Sequence, residues 1–188
     1  MPHRVCPWWL GYLLASPLRR LIQDPAKLLG LYIREGMTVL EPGPGMGFFT
    51  LELARLVGPT GRVLAVDIQP RMLASLRRRA ARAGLLGRID IRLTSAATMG
   101  LADLAGRVDF TPAIAVVHEL PEVERFFREV SEASKPGAGL LIAEPTGHVK
   151  PADFEAQLGA AARAGFELES RPTIRRSHAA FLRKCQPG

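Results

Sequence analysis

Cysteine is nearly missing from this chain: Cys6 and Cys185, one toward each end, are the only two in 188 residues. Neither belongs to a CxxC pair, so a disulfide framework and a structural zinc are both excluded as organising devices, and no metal site is expected. A chain of this kind suits a reducing compartment, here taken as the cytoplasm. Long hydrophobic runs are missing as well. The one membrane-like stretch, Trp8 to Ala15, is far too short to span a bilayer, so no transmembrane segment is expected. Pro17 follows it without an A-x-A cleavage site, so it reads as part of the mature protein. Repeats and low-complexity tracts are absent. Lysine is rare: of 25 basic residues 21 are arginine, so part of the net charge of +7 reflects an arginine bias. No basic stretch is interleaved with aromatics, which leaves nucleic acid as a weaker candidate partner. What is present, 47% hydrophobic and 23% charged residues, is the composition of an ordinary globular domain with one substantial core.

The informative stretch runs from Met37 to Asp67. A short apolar strand ends at Glu41, a turn with Gly43, Pro44, Gly45 and Gly47 follows, and a helix-like run leads to a second strand, Arg62–Val66, ending at Asp67. This is a βαβ unit with a nucleoside-sized crevice at its strand ends. A dinucleotide fingerprint would need its third glycine at Phe48, and Pro42 and Pro44 remove two N–H groups that a pyrophosphate would require. Glu41 would repel a phosphate yet can face a cation, while Asp67 is placed to accept hydrogen bonds from ribose hydroxyls. The ligand expected is an uncharged-to-cationic adenosine derivative rather than NAD.

On these residues the sequence resembles the class I methyltransferases that use S-adenosylmethionine, in particular their small single-domain members. Glu41-Pro-Gly43-Pro44-Gly45-Met-Gly47 matches the family's acid-x-G-x-G-x-G loop, and Val63–Asp67 matches its second motif. The resemblance extends from about Glu35 to Arg183 and includes a Lys135-Pro136-Gly137 turn and a closing hairpin. It implies an α/β, Rossmann-like, doubly wound fold with a mostly parallel seven-stranded sheet and a terminal antiparallel hairpin strand. It also implies S-adenosylmethionine as cofactor and S-adenosylhomocysteine as product, with Glu41, Gly43, Pro44, Gly45, Gly47, Asp67 and Ile68 around it. The family commonly offers an acid to the adenine after the third strand. Here that stretch is Ser95-Ala96-Ala97, so a serine hydroxyl, backbone groups or Asp103 must serve, with Ala115 at the next strand end.

The rest of the chain supplies the flanks. Asp24-Pro25 predicts a helix over Ala26–Ile33 with a stripe of Leu28, Leu29, Tyr32 and Ile33. Further helices are predicted over Phe48–Val57, from Pro70 to Gly84, over Glu122–Ser134 and over Ala152–Ala164. Strands are predicted at Met37–Leu40, Ile89–Leu93, Val108–Val117 with an interruption at Pro112, and Leu140–Ala143, before a hairpin of Phe166–Glu169 and Ile174–Lys184. Arg77, Arg78, Arg79 and Arg82 read as a solvated outer helix face. Residues 1–34 are expected to form a helical lid or substrate segment before a cofactor domain over 35–188.

Chemistry in such a sheet gathers beyond the carboxyl ends of its strands. His118 is the candidate general base, because its unperturbed pKa lies near neutrality, and Glu119 is a helix-start acid or its orienting partner. Glu144 and His148 flank the same opening as substrate contacts, and Trp8, Trp9 and Tyr12 are candidates to stack on an aromatic or cationic substrate. The Asn/Asp-Pro-Pro-aromatic run that the family uses for adenine or amide nitrogen is replaced by Ala115–Glu119, and two distant cysteines cannot make an arsenite-type thiol cluster. The expected function is methyl transfer to a small molecule. An RNA methyltransferase or a non-catalytic cofactor-binding module are the alternatives, and the tryptophan pair equally suits a homodimer contact.

Overall fold

The computed structural model describes residues 24–186. Trp8, Trp9 and Tyr12, with most of the expected lid, lie outside the described residues. In chain order the strands are β1 (Thr38–Pro42), β2 (Arg62–Asp67), β3 (Ile89–Leu93), β4 (Val108–Ile114), β5 (Ser134–Pro145), β6 (Phe166–Ser170) and β7 (Ser177–Lys184). The helices are α1 (Pro25–Leu29), α2 (Thr50–Leu56), α3 (Pro70–Arg82), α4 (Val123–Ala133) and α5 (Pro151–Arg163). The seven strands form one sheet in the order β3-β2-β1-β4-β5-β7-β6. Strand β7 runs antiparallel to both β5 and β6, as the closing hairpin requires. The chain divides into two compact units whose boundary in sequence falls between Ser95 and Ala96.

In the first unit β1 and β3 flank β2 in parallel. Val39, Leu40 and the run Val63–Val66 are buried, the near-continuous apolar pattern of strands covered on both faces. Helix α1 starts as expected, the Asp24 carboxylate accepting from the Ala26 N–H at 3.0 Å. It stops after five residues, four short of Ile33, because Gly30 is a poor residue through which to propagate a helix. Leu29 and Ile33 are nevertheless buried, and Leu31 is exposed. Helix α2 begins at Thr50, two residues later than the sequence suggests, since the glycine turn continues through Phe49. Helix α3 buries Met72, Leu73, Leu76 and Ala80 and leaves Arg77, Arg78 and Arg82 exposed. Arg79 departs from the expected solvated face: its guanidinium turns in and donates to the Met46 carbonyl at 2.5 Å.

In the second unit β4 and β5 pair in parallel and β5 is the longest strand. Pro112 does not interrupt β4; it stands in register with Leu141. Strand β5 starts at Ser134 rather than Leu140, because the Lys135-Pro136-Gly137 turn is a bulge inside the strand. Pairing steps from Val108↔Ser134 to Phe110↔Gly139, with Gly137 at φ 77°. Phe126, Phe127 and Val130 of α4 and Phe154, Leu158 and Ala161 of α5 are buried in this unit's core. Strand β7 begins at Ser177, later than the expected Ile174, and the preceding residue, Arg176, stands at φ 59°.

Candidate active site

Strand β1 carries Glu41 into the interior of the first unit, where the carboxyl is only 4% exposed. Its Oε2 and the Thr50 hydroxyl are both buried with no hydrogen-bond partner. Burial pushes the Glu41 pKa up to about 8; the nearby Thr50 hydroxyl works against that rise, and the charge of Asp67 adds to it. A buried carboxyl whose Oε2 has no hydrogen-bond partner suits a cationic ligand, which would favour its ionised form.

The loop after Glu41 is shaped by its glycines. Gly43, Gly45 and Gly47 all adopt positive φ, at 65°, 55° and 84°. The φ of 84° at Gly47 favours glycine, and a Cβ there would lie 2.4 Å from Leu76 Cδ1, the end of a side chain that would have to shift. Asp67 ties the loop to the next turn: Oδ2 accepts from Gly45 N–H at 3.3 Å and Oδ1 from Gln69 N–H at 2.9 Å. The Thr94 N–H donates to the Asp67 carbonyl at 3.0 Å, which anchors the end of β3 beside it. Ile68 and Leu93 are exposed apolar side chains at these strand ends, 41% and 61% accessible, and Ser95 is exposed next to them. Two carboxyls, a glycine cradle and an exposed apolar ledge therefore meet in one unit. That donor set fits an adenosine carrying a cationic tail, and offers little to a pyrophosphate.

The second unit holds the remaining candidates. Ala96 is exposed and Ala115 half-buried. Ala115 stands at φ 54°, a left-handed conformation rare for a residue with a Cβ, and its N–H donates to the Ala143 carbonyl at 2.8 Å. A single 3₁₀ turn, Val117–Glu119, then presents His118. Glu144, at the end of β5, is fully buried. Its Oε1 accepts from Val116 and Val117 N–H at 3.1 and 3.0 Å, and its Oε2 from His118 N–H at 3.3 Å. The same Oε2 makes a short contact with His118 Nδ1. Glu144 is thus enclosed and engaged on both oxygens, unlike the substrate contact expected from sequence, and it rather than Glu119 bonds the His118 ring. The charge of Glu119 also acts on His118. The hydrogen bond that the His118 ring makes to Glu144 raises the His118 pKa, burial opposes the rise, and the charges of Glu144 and Glu119 add to it. The exposed His148 ring lies 5.6 Å from that of His118.

Residues 33–172 match a family described as a methyltransferase domain. The chain belongs to this family. The methyltransferase domain is 31% identical over 112 residues to the ubiquinone/menaquinone biosynthesis C-methyltransferase UbiE of Klebsiella pneumoniae subsp. pneumoniae, a match covering 60% of this chain and 44% of that protein. The corresponding protein of Salmonella arizonae is 30% identical over the same length. The domain thus spans less than half of the curated relatives it matches. Among solved structures it is similar to a SAM-dependent methyltransferase from Aquifex aeolicus, at 25% identity and a TM-score of 0.84, covering 96% of this chain and 100% of that one. A TehB-like SAM-dependent methyltransferase from Corynebacterium glutamicum, at 17% identity and a TM-score of 0.72, covers 95% and 99% and shows the shared fold.

Several residues of the domain's strand ends escape sequence reading. Thr50 looks like an ordinary first helical residue, and only the sheet brings it beside Glu41. Leu93 had a usable signal: an apolar residue closing a strand whose other positions alternate. Arg79 had none, since its contact with Met46 spans 33 positions of the chain.

Proposed function

We propose that this methyltransferase domain transfers a methyl group from S-adenosylmethionine to a small-molecule acceptor in the cytoplasm and releases S-adenosylhomocysteine. The observation that carries this reading is the first unit's cradle: buried, partnerless Glu41 Oε2 beside a glycine loop that Asp67 ties down. Bound there, S-adenosylmethionine supplies an electrophilic methyl on a sulfonium. Glu41 contributes negative charge toward the cationic part, Asp67 accepts from ribose hydroxyls, and Ile68 with Leu93 offers an apolar face for the base. In the second unit His118 takes the proton that a protic acceptor must lose. A small organic acceptor is favoured by the relatives named for ubiquinone and menaquinone C-methylation. The cytoplasmic placement rests on the scarcity of cysteine. No described helix is long and apolar enough to cross a membrane.

Exposed Arg77, Arg78 and Arg82 keep RNA as the second acceptor class. The test offers methyl-tritiated S-adenosylmethionine with a deproteinised metabolite extract and, separately, with total RNA at physiological salt. Label in the metabolite fraction, unaffected by Arg77→Glu with Arg78→Glu, is expected. Label confined to RNA and lost in that double variant would overturn the small-molecule reading. RNA binding through those arginines would also weaken steeply with salt, as phosphate contacts do.

A further inference from the structure

Glu144 is a fully buried carboxylate, and no lysine or arginine pairs with it among the described residues. A buried charge in that position needs another source of compensation. It has two: three consecutive backbone N–H groups, of Val116, Val117 and His118, and the His118 imidazole. Consecutive amides converge on one anion only where the chain folds into a concave nest. Here Ala115 in its left-handed conformation, at φ 54°, leads into that turn. Such a conformation is strained for a residue with a Cβ and persists only where surrounding contacts hold it. The Ala143 carbonyl, which accepts from the Ala115 N–H, and the Glu144 carboxylate, which accepts from the next three amides, hold it.

We propose that Glu144 is a positioning residue for methyl transfer: it locks the 116–118 turn and fixes His118 with its proton on Nδ1, leaving Nε2 as the proton-accepting atom. This rests on the reading of His118 as the base. Nδ1 faces a carboxylate oxygen that can only accept while Glu144 is ionised, so the neutral imidazole keeps its hydrogen there. The groups that face the ring are Glu144 from β5, Glu119 from the same turn and His148 from the loop after β5. Both carboxylates favour the imidazolium, so the free base accumulates only as pH rises past a midpoint above the usual histidine value. A Glu144 that served only to cap the turn would hold the backbone without setting the tautomer or the titration of the ring.

The test is ¹⁵N–¹H NMR of the imidazole groups in the full chain, assigned with His118→Asn and titrated with and without Glu144→Gln. Expected are a neutral His118 protonated at Nδ1 and a titration midpoint above that of an ordinary histidine. The midpoint should fall in Glu144→Gln and recover in Glu144→Asp, while S-adenosylhomocysteine affinity stays within about twofold. A neutral His118 protonated at Nε2 in the unmodified chain, or a midpoint that Glu144→Gln leaves in place, would overturn the proposal. If Glu144→Gln does not fold, the tautomer in the unmodified chain decides alone. Failure of the folded, unmodified chain to bind S-adenosylhomocysteine would overturn the methyltransferase reading beneath it.

Discussion

Replacing Glu41 by glutamine removes a buried carboxyl that the fold keeps protonated near neutrality. In the native protein its pKa is about 8, against 4.5 for a free side chain. Between those values the unfolded chain has released its proton and the native chain has not. The unfolded state therefore binds fewer protons, and stability falls as pH rises through that window. The penalty is absent below the lower value and complete above the upper one. Each tenfold change in proton affinity is worth about 1.4 kcal/mol, so the full loss is about 3–5 kcal/mol. Glutamine does not titrate and should be free of this slope. It also introduces an amide whose hydrogens face the site of an orphaned oxygen, a cost of about 1–3 kcal/mol that is the same at every pH. The informative quantity is thus the difference in slope between the two proteins, in which all other titrating groups cancel. Urea unfolding at pH 5, 6.5, 8 and 9 measures it. The original chain should lose stability relative to Glu41→Gln across the series and become the less stable of the two at the alkaline end. Parallel curves would refute a protonated, buried Glu41 and with it the idea that this carboxyl waits for a cation.

Two other substitutions probe the cradle and the base separately. Gly47→Ala forces a Cβ against Leu76 at φ +84° and should cost about 1–2 kcal/mol of stability, a lowering of Tm by a few degrees, together with cofactor affinity; a calorimetric scan matching the parent would mean the loop is laxer than its geometry. His118→Ala should lower kcat by about 10²–10⁴-fold while cofactor Kd stays within about twofold. Unchanged kcat, once an acceptor is in hand, would leave His118 a wall of the pocket rather than a base.

Much of the fold was legible because its signals are local. The strand–glycine–helix–strand order of Met37–Asp67, the Asp24-Pro25 start of α1 and the alternation of β3 each declare themselves within a few residues. Pro112 misleads for the same reason: a local rule places a break where the pairing with Leu141 continues the strand. The Lys135–Ala138 bulge reads as a terminating turn because its effect depends on the partner strand. In the site, Glu41 and Asp67 stand out as acids that close apolar strands, whereas the role of Glu144 does not. Its partners lie 26 to 28 positions away, and they converge only once β4 and β5 are neighbours and Ala115 has turned left-handed. Sequence separation hides such a contact, and the same holds for Arg79 and the loop it secures.

The most direct test of the central claim, that the Glu41–Asp67 unit holds S-adenosylmethionine, is isothermal calorimetry of that ligand and of NAD against the unmodified chain and Asp67→Ala. Roughly micromolar binding of S-adenosylmethionine is expected, as for many enzyme ligands, with none of NAD. Loss of hydrogen bonds to a charged group should weaken the variant by about 1.5–3 kcal/mol, on the order of 10- to 150-fold. Binding of NAD in place of S-adenosylmethionine, or an Asp67→Ala chain that binds it as tightly as the parent, would contradict the account.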